Sequence, residues 1–133
     1  MRKLFAIMLV ALAGCVSAPT FDPVEYNRII EMTYYVRQAP QYCSTSPLDA
    51  MVMLSTTVSL KTQAELFELY STYRSDHEQL KEAASIVVKN LDELKQKYSD
   101  PSNPPSTAYC KGKLKILDVS LTRILNTVGG LSQ

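Results

Sequence analysis

His77 is the single histidine of this 133-residue chain and the first place to look for chemistry. An imidazole could act as a general base or as a metal ligand. The run His77-Glu78-Gln79-Leu80-Lys81 starts like a zinc-binding helix, but its fifth residue is Lys81, where a second histidine is needed. Glu65 with Glu68, and Glu78 with Glu82, stand at spacings that place two carboxylates on one helix face. On an amphipathic helix such pairs face solvent. No G-x-S-x-G, phosphate-binding loop or G-x-G-x-x-G occurs. The residues therefore point away from an enzyme: they supply no catalytic set, no metal-ligand set and no cofactor motif.

The elements that would position these groups read as helices, with no strand pattern. Asp22-Pro23-Val24-Glu25 opens the first, with Asp22 as N-cap, Pro23 at the first helical position and Glu25 as the return half of a capping box. Phe21 and Tyr26 stand at the staple positions around that cap. Ile29, Ile30, Met32 and Val36 form its apolar stripe, and Pro40 stops it near Gln38. Ser46-Pro47-Leu48-Asp49 repeats the start signal, with a stripe through Leu48, Met51, Val52 and Val58 and an expected break at Leu60-Lys61-Thr62.

Thr62-Gln63-Ala64-Glu65 reads as another capping box and opens a long seam: Leu66, Tyr70, Tyr73, His77, Leu80, Ala84, Val87, Leu91, Leu94 and Tyr98. Its alternating steps of four and three are those of helices packed at shallow angles. A helix over 63–98 would be about 54 Å long. It must either kink near Ser75-Asp76 or project past its neighbours, offering its seam to a partner or to a second copy as a homodimer. Asp100-Pro101 ends it. The last helix carries Cys110, Leu114, Leu117, Leu121, Ile124 and Val128, and Gly129-Gly130 is its expected stop. The architecture expected is an all-α antiparallel four-helix bundle of up-down-up-down topology.

The N-terminus adds an address. Met1-Arg2-Lys3 is positively charged, and Leu4 to Ala13 is an apolar run far short of the ~20 residues that span a bilayer. Its ending, Leu12-Ala13-Gly14-Cys15, resembles the lipobox of bacterial lipoproteins. The resemblance implies a signal peptide of residues 1–14, a diacylglycerol on the Cys15 thiol and an acylated (palmitate-type) N-terminus. Residues 15–21 would then be a short tether and 22–133 the bundle domain. Val16 stands where an aspartate would signal inner-membrane retention, so the implied place is the outer membrane, facing the periplasm.

Loss of 1–14 leaves 12 basic and 13 acidic side chains, which excludes a nucleic-acid footprint. Lys111-x-Lys113-x-Lys115, the one basic concentration, reads as a solvated helix face. With Cys15 lipidated, Cys43 and Cys110 remain in a compartment where disulfides persist. Bridged, they close a loop worth roughly 4 kcal/mol, and leave no thiolate for a cysteine–histidine dyad.

Eight tyrosines and no tryptophan complete the list of distinctive residues. In the bundle, Tyr34, Tyr35, Tyr42, Tyr98 and Tyr109 would gather at the disulfide end, as a partner surface or as the boundary of the core. The expectation is a membrane-anchored, non-catalytic lipoprotein that binds an envelope protein, similar in plan to helical pilotin lipoproteins and sharing no residue motif with them. An exclusion or immunity lipoprotein acting as an inhibitor is the alternative. An envelope enzyme built on His77 is a third.

Overall fold

The computed structural model describes residues 21–74 and 78–130. Among these, the chain forms four α-helices and no strand: α1 Pro23–Gln38, α2 Pro47–Thr72, α3 Glu78–Lys97 and α4 Thr107–Gly130, with a 3-10 turn at Ala39–Tyr42 after α1. Successive helices pack on one another and α1 closes the ring against α4, giving an antiparallel four-helix bundle. The expected signal peptide, Cys15, Ser75-Asp76 and His77 all lie outside the described residues.

Local chemistry sets the helix starts. Asp22 sits in extended backbone, and its carboxylate accepts from the Val24 N–H at 2.9 Å and the Glu25 N–H at 3.3 Å. Phe21 packs on Tyr26 with ring centroids 5.4 Å apart, the staple expected there. Pro47 is the first residue of α2. Here Ser44 rather than Ser46 organises the entry, donating to Asp49 at 2.5 Å and accepting from the Ser46 N–H at 3.1 Å. Ser106 accepts the Tyr109 N–H at 3.2 Å and so caps α4.

The core follows single stripes on three helices. Ile29, Met32 and Val36 are buried on α1, while Ile30 faces out. Leu80, Ala84, Val87, Leu91 and Leu94 are buried on α3, and Cys110, Leu114, Leu117, Leu121, Ile124 and Val128 on α4, all at the three–four spacing read from the sequence. Because the Leu80–Leu94 seam is consumed inside the chain, it offers no face to a second copy.

The long helix expected over 63–98 is corrected. α2 runs unbroken through Leu60-Lys61-Thr62, and the chain reverses between Thr72 and Glu78 instead. Thr62 does not cap a new helix: its hydroxyl donates back to the Val58 carbonyl at 3.1 Å. Lys61 and Glu65 pair at 2.9 Å one turn apart. Both contacts belong to a helix interior, and neither glycine nor proline is present there to break it.

The face of α2 is corrected as well. Its buried residues are Ala50, Met53, Thr57, Leu60, Ala64, Phe67 and Ser71, a seam of small and large side chains. Leu48, Met51, Val58, Leu66 and Tyr73, expected inside, are exposed. Small residues let two helices approach closely, and α2 makes the most extensive helix contact of the bundle, with α3. Ser71 is tolerated inside because its hydroxyl donates to the Phe67 carbonyl at 2.9 Å.

Gly129-Gly130 is not the expected stop, since α4 includes both residues. A Cβ at position 129 would lie 3.3 Å from the Tyr26 ring, so this glycine is where α1 comes close to α4.

Candidate functional site

One end of the bundle is closed by a covalent bridge. Cys43, after the 3-10 turn, and Cys110, in the first turn of α4, form a disulfide with Cα atoms 5.6 Å apart, and both cysteines are buried. The turn after α1 is therefore fixed to α4 in a way that non-covalent packing of so short a segment could not ensure.

The five tyrosines expected at this end separate into two groups. Tyr98 is 0% exposed and belongs to the core, because position 98 continues the four–three spacing of the α3 seam. Burial pushes its hydroxyl above the ordinary tyrosine pKa, and the group has no hydrogen-bond partner. Tyr42 and Tyr109 are half-buried against the same core. Tyr109 lies under the ammonium groups of Lys97 and Lys113, 6.0 and 5.9 Å from its ring centre. Only Tyr34 and Tyr35 are exposed, as an edge-to-face pair 5.6 Å apart on α1.

The expected basic cluster also divides. Lys113 turns back onto Glu93 and donates to Asn90 at 3.3 Å, tying α4 to α3, whereas Lys111 and Lys115 face solvent. The Glu93 carboxyl is held below its ordinary pKa by that lysine. Arg37 ties α1 to α4 through Asp118 at 2.6 Å and Thr122 at 3.2 Å.

Beside Tyr35 the contact between α1 and α2 is sparse and a groove opens. It has a volume of about 410 Å³ and is lined by Glu31, Tyr35, Ser55, Thr56, Ser59, Leu60 and Gln63. Short hydroxyl side chains on α2 make it: where a leucine would bridge to α1, serine and threonine leave space. Gln63 carries a buried side-chain oxygen without a hydrogen-bond partner. A second cavity of about 510 Å³ lies under the Pro104-Pro105 loop beside Tyr109, with Lys97 and Asp100 on its wall.

Sequence reasoning missed the outward face of α2. Leu48, Met51, Val58, Leu66, Leu69 and Tyr73 are all exposed there, Leu48 by 71% and Tyr73 by 83%. At ~100° per residue, these six with Ser55 and Thr62 occupy an arc of about 80° opposite the buried seam. No charged residue interrupts it. The signal was present as two interleaved apolar patterns on one helix, of which a bundle can bury only one.

At the opposite end from the disulfide, Asp22, Tyr70 and Arg74 lock the start of α1 to the end of α2. The Tyr70 hydroxyl donates to Asp22 and accepts from Arg74 at 3.0 Å. The Tyr70 hydrogen bond holds the Asp22 carboxyl below its ordinary value, and burial pushes Glu25, one turn on, upward. Asp22 is already engaged by two backbone N–H groups and a phenol, which is the work of a helix cap.

Among the described residues no group of three or more histidine, cysteine, aspartate or glutamate side chains could hold a metal ion, and no helix is long and apolar enough to cross a membrane. Compared with protein-family models, curated proteins and solved structures, the chain matches none.

Proposed function

We propose that this chain is a lipid-anchored, non-catalytic protein of the bacterial cell envelope that binds a membrane-associated envelope protein in the groove between α1 and α2. The observation that carries the reading is that groove: about 410 Å³, walled by Tyr35 and Glu31 and floored by small polar residues of α2. Open along the helix pair and lined by short polar side chains, it has room for side chains of a bound helix or extended peptide. Tyr35 and Tyr34 supply rigid apolar area with polar tips, the residue type favoured where a partner must bind and release.

The lipobox-like Leu12-Ala13-Gly14-Cys15 supports the anchoring. Six residues separate Cys15 from Asp22, a reach of at most ~20 Å. A domain tethered that closely to a bilayer meets membrane-associated partners at a raised local concentration. The implied station is the outer membrane, on its periplasmic side, with a helper role in assembling an envelope complex.

The test is photo-crosslinking in intact envelopes from position 35, with position 111 as control. The expected result is one crosslinked envelope protein from position 35 and none from 111. Equal labelling from both positions, or none from 35, overturns the groove as the binding site. Intact mass of the envelope form tests the anchor: a chain that retains residues 1–14 and carries no fatty acid overturns it.

A further inference from the structure

We infer that the outward face of α2 is the seam of a homodimer, in which a second copy of this chain packs its own α2 antiparallel against the first. The juxtaposition behind it is a helix with two apolar faces, one buried against the chain's own core and the other exposed along the whole helix. From Leu48 to Tyr73 the outer stripe is ~38 Å long. At ~200 Å² per fully exposed large side chain, its six apolar residues present roughly 700 Å². A stable protein interface takes about 800 Å² from each partner, so the stripe with its two hydroxyl residues and immediate flanks meets the requirement without further surface.

The order of residues along the stripe selects a second copy, and an antiparallel one. Large side chains stand at its ends and small ones, Ser55 and Thr62, about its middle. With a two-fold axis beside residues 60 and 61, Leu48 falls opposite Tyr73 of the second copy, Ser55 opposite its Leu66 and Val58 within one residue of its Thr62. Each small residue thereby meets a larger one, and the two-fold axis generates both halves of the match. A parallel pairing would set Ser55 on Ser55 and Thr62 on Thr62, leaving gaps at the centre. The steps of three and four along the stripe are those of two helices packed at a shallow angle.

Charge disfavours a bilayer as the occupant. α2 carries Asp49, Glu65 and Glu68 against Lys61, and Lys61 is already held by Glu65 at 2.9 Å and Asp92 at 3.3 Å. A surface-lying helix needs free basic side chains to meet anionic lipid. An uncharged stripe with acidic flanks fits another protein surface, and this chain supplies one of matching length.

The test uses the full chain extracted in mild detergent. Light scattering should give the mass of two chains. Leu69→Glu should remove the dimer at concentrations at least ~100-fold above that at which the parent chain is paired, because it buries two unpaired charges. Its helical circular dichroism should be unchanged, since the side chain is exposed in the single chain. Differently tagged Leu48→Cys and Tyr73→Cys chains, expressed together in membranes, should crosslink to each other, whereas Leu48→Cys alone and an Ile116→Cys control on α4 should not. A one-chain mass overturns the proposal, as it would if residues 1–20 or another protein covered the stripe. Self-crosslinking of Leu48→Cys overturns the antiparallel register. Ser55 borders both this seam and the α1–α2 groove, and the mass and crosslinking results require neither an acyl chain at Cys15 nor a filled groove.

Discussion

Removing the disulfide with Cys43→Ala and Cys110→Ala tests the physical basis of this small bundle. The two cysteines are 67 residues apart in sequence, and the loop between them contains all of α2 and α3. Closing a loop of that length restricts the unfolded chain by about 4 kcal/mol in the chain-entropy model. The 5.6 Å Cα separation lies in the ordinary range for a disulfide, so that contribution should be realised in full. Set against a total of 5–15 kcal/mol for a typical domain, it is a large fraction. For a domain of this size the melting midpoint should fall by roughly 15 °C. The assay is thermal and urea unfolding followed by far-ultraviolet circular dichroism, on the oxidised chain, the reduced chain and the double variant. Reduced chain and variant should agree, and both should show a steeper urea dependence because their unfolded states expose more surface. Midpoints within a few degrees of the oxidised chain, with an unchanged urea slope, would refute the reasoning.

Four further substitutions test the cap cluster and the glycines. Tyr70→Phe removes the hydrogen bond that holds the Asp22 carboxyl below its ordinary 3.8. That bond stabilises the fold above pH 3.8 and is lost as pH falls through the lowered value. The variant should therefore lose ~1–2 kcal/mol at pH 7 and little at pH 2, measured by urea midpoints. Glu25 has the opposite sign: burial raises its carboxyl above 4.5, so its charge costs stability at neutral pH and costs nothing once it is protonated. Glu25→Gln should raise the midpoint at pH 7 by the equivalent of ~1 kcal/mol and leave it unchanged at pH 4; a gain equal at both values would exclude a charge effect. Gly112 lies on α4 with open space around its Cα, so Gly112→Ala should stabilise by ~1 kcal/mol. Gly129→Ala should gain less or nothing, because its methyl meets the Tyr26 ring at 3.3 Å; equal gains at both positions would mean that the ring yields freely.

Legibility in the sequence differed from helix to helix for one physical reason. α4 and α3 each carry a single pattern of leucine, valine, isoleucine and alanine at steps of three and four, so each has only one face to bury. α1 has one stripe with Ile30 beside it, and its cap residues Asp22 and Pro23 define where it begins. The pairing of Cys43 with Cys110 was equally readable, given two cysteines at one end of an alternating bundle. Tyr98 could have been placed in the core from its position on the α3 seam. Its type, amphipathic and common at surfaces, argued the other way.

Residue types and spacing by themselves determined the all-α class, the count of four helices, the buried faces of α3 and α4 and the covalent link at one end of the bundle. Periodicity and capping are local, and those features depend on little else. What α2 buries was decided by tertiary structure alone. Both of its stripes carry large apolar residues, and the one that also contains Ala50, Thr57, Ala64 and Ser71 lies inside, where small side chains let α3 approach closely. The place of the reversal was decided in the same way. Thr62 can cap a helix or donate back within one, and the intact packing of α2 on α3 chose the second. The groove beside Tyr35 and the exposed stripe from Leu48 to Tyr73 exist only as consequences of that choice.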